Sequence, residues 1–529
     1  MFPLDLNKNS RWVSELLNYY KFKMINILAI ISSPNWPLCV LLLSVFWVVF
    51  GITKLKLHAF LTLMIAAIFV GLLSGPLPEL SIENKGLFHN RVDLSPSVET
   101  DHALAIKWSL LGFGNTAGGV GLIIALAAIV GTCMMKSGAA DRVVRFLLSV
   151  FGEKYAGLVL LISGFLLSIP VFFDTVFFLL IPLARAMAVR SGGQYLFFVM
   201  AMAGAGAITH SLVPPTPGPL MIANGLGIEI GYAITAGLIA SILPACLVLY
   251  LAKWFDSKYA FPMREVAGSS RESLENIINK PNEDLPSIFL SFLPIVLPVF
   301  LISSLSIINI LSFHNIDLGI FNPDPNNSYY SVLSFFGEPN MAMALAALSS
   351  IYILVQQSIR DNFGKNEKIT SFLSKELEEP LSTAGMIILI TGAGGAFGGM
   401  IRLSGVGRSI ENLSSEFNIS YVLLAWLVTA IIRIAQGSAT VAMITGVGLM
   451  AAVLGDGSLL SYHPLYIFLA IGFGSITLSW MNDSGFWVVQ RLSGFTEKET
   501  LKTWSVLLTA ISLLGLIICL IGSVIIPLK

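Results

Sequence analysis

The sequence predicts an all-α integral membrane protein, with about ten transmembrane helices and two re-entrant hairpins arranged as two inverted repeats. Three observations predict it. Apolar and aromatic residues fill 55% of the 529 positions and charged residues only 12%, about half the charged share of a water-soluble domain. The apolar residues fall into runs near the length of about 20 that crosses a bilayer. Several runs are interrupted at mid-depth by prolines or polar residues, and the interruptions recur at a fixed spacing. Lys+Arg and Asp+Glu both total 31, so neither a basic nucleic-acid surface nor an acidic tail is indicated. A soluble enzyme, a DNA-binding protein and a fibrous protein all fit poorly.

Residues 1–35 begin polar and hold one apolar patch, Met24–Ile31, too short to cross and flanked by Lys21 and Lys23. A cleaved signal peptide fits badly, because the charges sit late and no small-residue cleavage site follows. The region is read as an interfacial extension. A first unit, 36–253, then holds full spans at 36–53, 57–77, 113–136, 194–225 and 228–253. A cytoplasmic linker is expected at 254–286. The second unit, 287–529, repeats the plan with spans at 287–309, 340–357, 380–404, 463–490 and 503–527.

Two apolar stretches, 155–188 and 419–454, are too long for one span and short for two. Each has a marked centre: Ser168-Ile169-Pro170 with Asp174-Thr175 in the first, Arg433 with Gln436-Gly437-Ser438-Ala439-Thr440 in the second. Helices that fold back at mid-depth suit both lengths, and two ordinary short crossings are the alternative. Irregular backbone at that depth persists only where it is buried in protein or lines a cavity. Two further spans are broken. The prolines of Leu212-Val213-Pro214-Pro215-Thr216-Pro217-Gly218-Pro219 forbid continuous helix in 194–225. Ser479-Trp480-Met481-Asn482-Asp483-Ser484-Gly485 puts a carboxylate and small polar groups inside 463–490.

Ser137-Gly138 recurs as Ser404-Gly405 and Gly218 as Gly485, each 267 residues on, and Thr175-Val176 recurs as Thr440-Val441 after 265. Five spans and a hairpin per unit, an odd number of crossings, turn the second copy upside-down. Paired interrupted segments in corresponding halves point to a transport site near the midplane. With the linker inside, inward segments hold 20 Lys/Arg and outward ones nine, the bias expected of cytoplasmic loops. The 310–339 segment has no Lys or Arg and is read as an outside loop; Arg402 and Arg433 fall at or within the membrane and are left unassigned.

The intramembrane polar residues are the candidate site. Asp174 is the only carboxylate between Glu153 and Glu229, and an ionisable group at this depth marks function by default. It suits a group that gains and loses a proton, with a helix-capping carboxylate as the plain alternative. Thr175 adds a hydroxyl. His210 and Ser211 bring an imidazole and a hydroxyl just before the proline run, where Thr216 and Gly218 let ligand and backbone approach. The tip Gly437-Ser438-Ala439-Thr440 opens a half-helix whose free N–H groups suit an anion. Arg433 offers a bidentate clamp for a carboxylate, or else pairs with a buried acid such as Asp483 or snorkels. Asn482, Asp483, Ser484 and Gly485 give the second half its own mid-depth acid. Asp174 and Asp483 are the proton-coupling candidates.

Other features carry less. Cys39, Cys133, Cys246 and Cys519 read as packing residues, and six scattered histidines give no metal-ligand spacing. The glycines of 112–138 and 386–407 suit close helix packing. No nucleotide-binding loop occurs, so an ATP-driven pump is not expected. An intramembrane enzyme is disfavoured because no nucleophile–base or HExxH pattern is present, and no cofactor is expected.

Ser168-Ile169-Pro170-Val171-Phe172-Phe173-Asp174, Val213 through Pro219, Gly392-Ala393-Gly394-Gly395-Ala396-Phe397-Gly398, Arg433 through Ala442, Asn482 through Trp487 and Leu501-Lys502-Thr503-Trp504-Ser505 together resemble the gluconate permease (GntP) family. The resemblance runs from about residue 36 to the end. It implies a bacterial inner-membrane, proton-coupled symporter for gluconate or a related small hydroxy acid. It further implies the scaffold and transport domains, elevator-type motion and homodimer of the ion-transporter superfamily. This chain has Asp174 where the family usually has Glu, and Thr216 and Trp480 where it has His. Other sugar acids, glycerate-like acids and D-serine-like amino acids therefore stay open as substrates. Unwound carbonyls with Asn482, Ser438 and Thr440 could coordinate Na⁺ as an alternative coupling ion, and a passive channel is the alternative mode.

Overall fold

The computed structural model describes residues 36–74, 77, 101–264, 281–313, 319, 322–323, 327–360, 369–405, 409, 420–454 and 460–528. The expected N-terminal extension 1–35, linker residues 265–280 and the first residue of the second hairpin, 419, lie outside them. Every regular element among the described residues is helical.

Two shorter apolar helices, α1 (Trp36–Thr53) and α2 (Ala59–Leu73), lead into the long α3 (Asp101–Lys136). The first expected hairpin region is α5 (Ala156–Leu167), a break, and α6 (Phe173–Ser191). Before it stands α4 (Ala139–Phe151), turned by 112° from the Glu153–Leu167 segment that holds α5. Sequence reading gave no helix there. Ala139, Ala140, Val143, Val144 and Leu147 are buried while Asp141, Arg142 and Arg145 are not, so α4 is a one-sided helix rather than an apolar run. The proline run parts α7 (Tyr195–Leu212) from α8 (Pro217–Gly225), and α9 (Ile230–Tyr259) closes the first half.

The second half follows the same sequence of long, broken and long helices. It opens with α10 (Ile288–Phe313), α11 (Ser328–Gly337) and α12 (Pro339–Arg360). Helix α11 corrects the expected loop at 310–339: the Asn327 side chain accepts from the Tyr329 and Tyr330 amides at 3.0 and 3.5 Å and starts a helix there. The long α13 (Ile369–Leu403) precedes the pair α14 (Tyr421–Gln436) and α15 (Ala439–Leu454). The expected span 463–490 is two helices, α16 (Leu465–Gly474) and α17 (Ser484–Ser493), parted by an irregular 475–483. A π-turn at Leu501–Ser505 leads into α18 (Val506–Ile525).

Among the described residues, seven segments are long and apolar enough to cross a bilayer: 102–136, 195–225, 230–259, 288–309, 339–360, 369–403 and 497–525. Helices α3 and α13 start about three turns earlier than the apolar runs suggest, because polar first turns such as Ser371–Glu379 extend beyond them.

Helices α3 and α13 pack along one another and run antiparallel. Lys136 pairs with Glu376 at one end, while Gly112 faces Ala396 at the other. Helix α15 lies against α13 so closely that a Cβ on Gly398 would stand 2.7 Å from the Gly448 backbone, an approach only glycine allows. In α7 all residues but Phe197 and His210 are buried, and in α16 all are. These two are interior helices. Exposed apolar side chains such as Ile239, Phe289, Phe300 and Val524 belong to α9, α10 and α18, which form a lipid-facing exterior.

Candidate functional site

Four helix N-termini open onto one cavity of about 370 Å³. They are the starts of α6 (Phe173, Asp174, Thr175), α8 (Pro217), α15 (Ala439, Thr440, Val441) and α17 (Ser484, Gly485). Each exists because a break interrupts a helix pair there. The starts of α6, α15 and α17 carry amide N–H groups that no preceding turn can satisfy, while Pro217 at the start of α8 has none. A site built from such ends is positive without needing many cations.

Asp174 sits in the first turn of α6 and is exposed, although it stands deep in the fold. Beside it lie Thr175, His210 and Ser211. Among the described residues, His210 Nδ1 and Ser211 Oγ are buried without a hydrogen-bond partner. Buried polar atoms are rarely left unmatched unless something else binds them.

Arg433 and Asp483 form the other side. Arg433 Nη2 donates to Asp483 Oδ2, and both side chains are over nine-tenths buried. Ser479 Oγ donates to the same carboxylate oxygen, while Oδ1 accepts from the Gly485 amide at 3.0 Å and caps α17. Trp504 Nε1 donates to Ser479 Oγ at 2.8 Å, and its ring stacks on Phe173 at 5.5 Å. Asp483 is thereby fully engaged. Arg433 is not: its Nε and Nη1 are buried and unpartnered among the described residues. The arrangement leaves one free guanidinium edge, one exposed carboxylate, several hydroxyls and four helix ends around a space of small-molecule size.

Of the residues singled out from sequence, Asp174, Thr175, His210, Ser211, Arg433, Ser438, Thr440, Asp483, Ser484 and Gly485 line this cavity. Five do not. Pro170 is buried in the α5–α6 break. Thr216 donates inward to the His210 and Val213 carbonyls, both at 2.9 Å. Gly218 abuts Met443, with room for no side chain. Gly437, at φ +90°, ends α14, and a Cβ there would meet the Asn482 carbonyl at 2.2 Å. Asn482 Nδ2 donates to the Ile434 and Ala435 carbonyls at 2.9 and 3.2 Å. These residues make the breaks rather than the walls.

Sequence reading missed Thr383, Ile387 and Ile390 of α13, Phe172, and Trp504. Phe172 and Trp504 left a signal, as parts of the Ser168–Asp174 and Leu501–Ser505 motifs. A smaller adjoining cavity of about 130 Å³ shares Phe172, Thr175 and Thr383 and reaches Lys136 and Glu379.

The family description "GntP family permease" matches residues 103–525. A gluconate permease of Pseudomonas aeruginosa is 34% identical over 488 residues, covering 92% of this chain and 97% of that protein. An uncharacterized permease of Haemophilus influenzae is 34% identical over 477 residues, 89% of this chain and 88% of its own length. The solved structure of Neisseria gonorrhoeae MtrF aligns with a TM-score of 0.57 at 15% identity, over 89% of this chain and 96% of that one; it bears on the fold alone. These sequence relatives are permeases, not enzymes. The chain is a multi-pass membrane protein that belongs to the GntP permease family.

Proposed function

We propose that the protein is a secondary transporter that imports gluconate or a related small hydroxy acid across the bacterial cytoplasmic membrane by proton symport. One observation carries the reading. Arg433 keeps a buried, unpartnered edge in a cavity whose remaining free charge is Asp174. A substrate carboxylate meets that edge and the α15 N-terminus, where charge-assisted hydrogen bonds are strongest. Thr175, His210, Ser211 and Thr440 stand where hydroxyl groups of the acid would lie.

The charge balance gives the coupling. Arg433 and Asp483 offset each other, so an ionised Asp174 adds an uncompensated side-chain charge that opposes an anion. A proton on Asp174 removes that opposition. Substrate and proton then enter together and leave together, which is symport. In this reading the halves are inverted repeats, and α14–α15 with its counterpart α5–α6 carries the site against α3 and α13 as an elevator.

Uptake of labelled gluconate into proteoliposomes tests it. Inward proton gradients should drive accumulation above the outside concentration. Asp174→Asn should abolish that pH-driven uptake while inserting normally. Uptake by Asp174→Asn equal to wild type overturns the role of Asp174, and accumulation driven by a sodium gradient alone overturns proton coupling. Parallel uptake of other sugar acids and D-serine sets the substrate range.

A further inference from the structure

Arg402 plays no part in the site above. It lies in the last turn of α13, is exposed, and lines a separate cavity of about 430 Å³. Helices α3, α8, α13 and α15 wall this cavity, and Asn115 of α3 and Asn224 of α8 project toward it with Arg402. All three are exposed, although they stand among helices packed on glycine. Among the described residues the lining contains no acidic side chain. Among the described residues Arg402 forms no ion pair and neither asparagine side chain has a hydrogen-bond partner.

Its position relative to the central site follows from the helices they share. Along α13, the small cavity takes Glu379, the central one Thr383, Ile387 and Ile390, and this one Gly394 to Leu403. Arg402 stands about 18 Å beyond Ile390 at 1.5 Å per helical residue. Helix α15 enters the central cavity with Ser438–Val441 and this one with Ile444–Ala451. Helices α13 and α15 therefore run from one cavity to the other. The small cavity, with Lys136, marks the opposite end of α13.

We propose that this cavity is an outer subsite for the same hydroxy acid, in which Arg402 binds the carboxylate and Asn115 and Asn224 bind its hydroxyls. The proposal rests on the function argued above. A guanidinium fork matches a carboxylate bidentately, and amide side chains both donate to and accept from hydroxyls. A cleft of single positive sign concentrates anions at its mouth. Among the described residues no counter-charge competes here, in contrast to Arg433, which Asp483 already holds. The subsite captures anion from the face remote from Lys136 and holds it farther along α13 and α15 from Asp174.

Kinetics and labelling test it together. Arg402→Gln should raise KM for gluconate about tenfold and leave the maximal rate within about twofold, with Arg402→Lys recovering part of the loss. For labelling, exposed Cys39 and Cys246 are replaced by serine, and Gly119→Cys places a thiol on the cavity wall, where a Cβ meets nothing within 4 Å. A membrane-impermeant thiol reagent should label it from outside intact cells. Gluconate should slow that labelling even when Arg433→Gln has disabled the central site, and Arg402→Gln should remove the protection. Unchanged KM, or protection that survives Arg402→Gln, overturns the subsite and leaves the proposed function standing. Absence of gluconate uptake by the wild type overturns that function, and the subsite with it.

Discussion

At the residue scale, Asp174 and Asp483 both line the central cavity, yet their surroundings differ. Asp483 is held by Arg433, Ser479 and the Gly485 amide and is buried; Asp174 is exposed, with no described partner. Asp483→Asn keeps the cap on α17 but strands the Arg433 charge, and breaking a buried pair in this way costs about 3–5 kcal/mol. Thermal unfolding in detergent should show Asp483→Asn as strongly destabilised. Arg433→Gln should cost less, since the Ser479 hydroxyl and Gly485 amide still serve the remaining carboxylate. The double variant should recover part of the loss, the sign of direct coupling. Asp174→Asn should leave the unfolding temperature within experimental scatter. If the two acids destabilise equally when neutralised, the division of labour fails. The sequence exposed both acids because ionisable residues stand out in apolar runs. It left Arg433 between a clamp and an ion pair, because a partner 50 residues away is set by packing. The structure makes it both: one edge pairs, the other is free.

At the element scale, the breaks were legible and the one-sided helices were not. Prolines 214, 215, 217 and 219 and the Gly437-Ser438 pair disrupt local helix geometry whatever surrounds them, so their chain positions sufficed to place the ends of α7 and α14. Helices α4 and α11 have no long apolar run, and the first hides as a stripe among charges. Close approach between helices is likewise a tertiary fact. On α13, Gly398 and Gly399 are neighbours in sequence, but a Cβ on Gly398 meets the Gly448 backbone of α15 while one on Gly399 meets nothing within 4 Å. Gly398→Val should therefore separate α13 from α15, lower the unfolding temperature by several degrees and stop uptake. Gly399→Ala should be neutral or stabilising by up to about 1 kcal/mol through helix propensity. Equal behaviour of the two variants would show that α15 does not rest on α13 at this point.

At the scale of the whole molecule, the question is how two halves of like order come to share one cavity. Helices α3 and α13 are 36 and 35 residues long, and each is followed by a left-handed glycine, Gly138 at φ +76° and Gly405 at φ +78°. They lie side by side and antiparallel, so their C-terminal ends point to opposite ends of the molecule. If they are copies of one helix, the unit that follows each must enter from opposite faces, bringing α6 and α15 N-terminus first into the middle. That arrangement brings the N-termini of α6 and α15, one from each half, to one cavity. Lys136 and Leu403 close the two helices at positions 267 apart, which makes them the natural probes. In the background lacking Cys39 and Cys246, an impermeant thiol reagent added outside intact cells should label Leu403→Cys and spare Lys136→Cys; inverted vesicles should reverse the pattern. Losing the exposed Lys136–Glu376 pair to make the probe costs little. Labelling of both cysteines from one face would mean parallel copies, and the convergence of four helix N-termini would then need another origin.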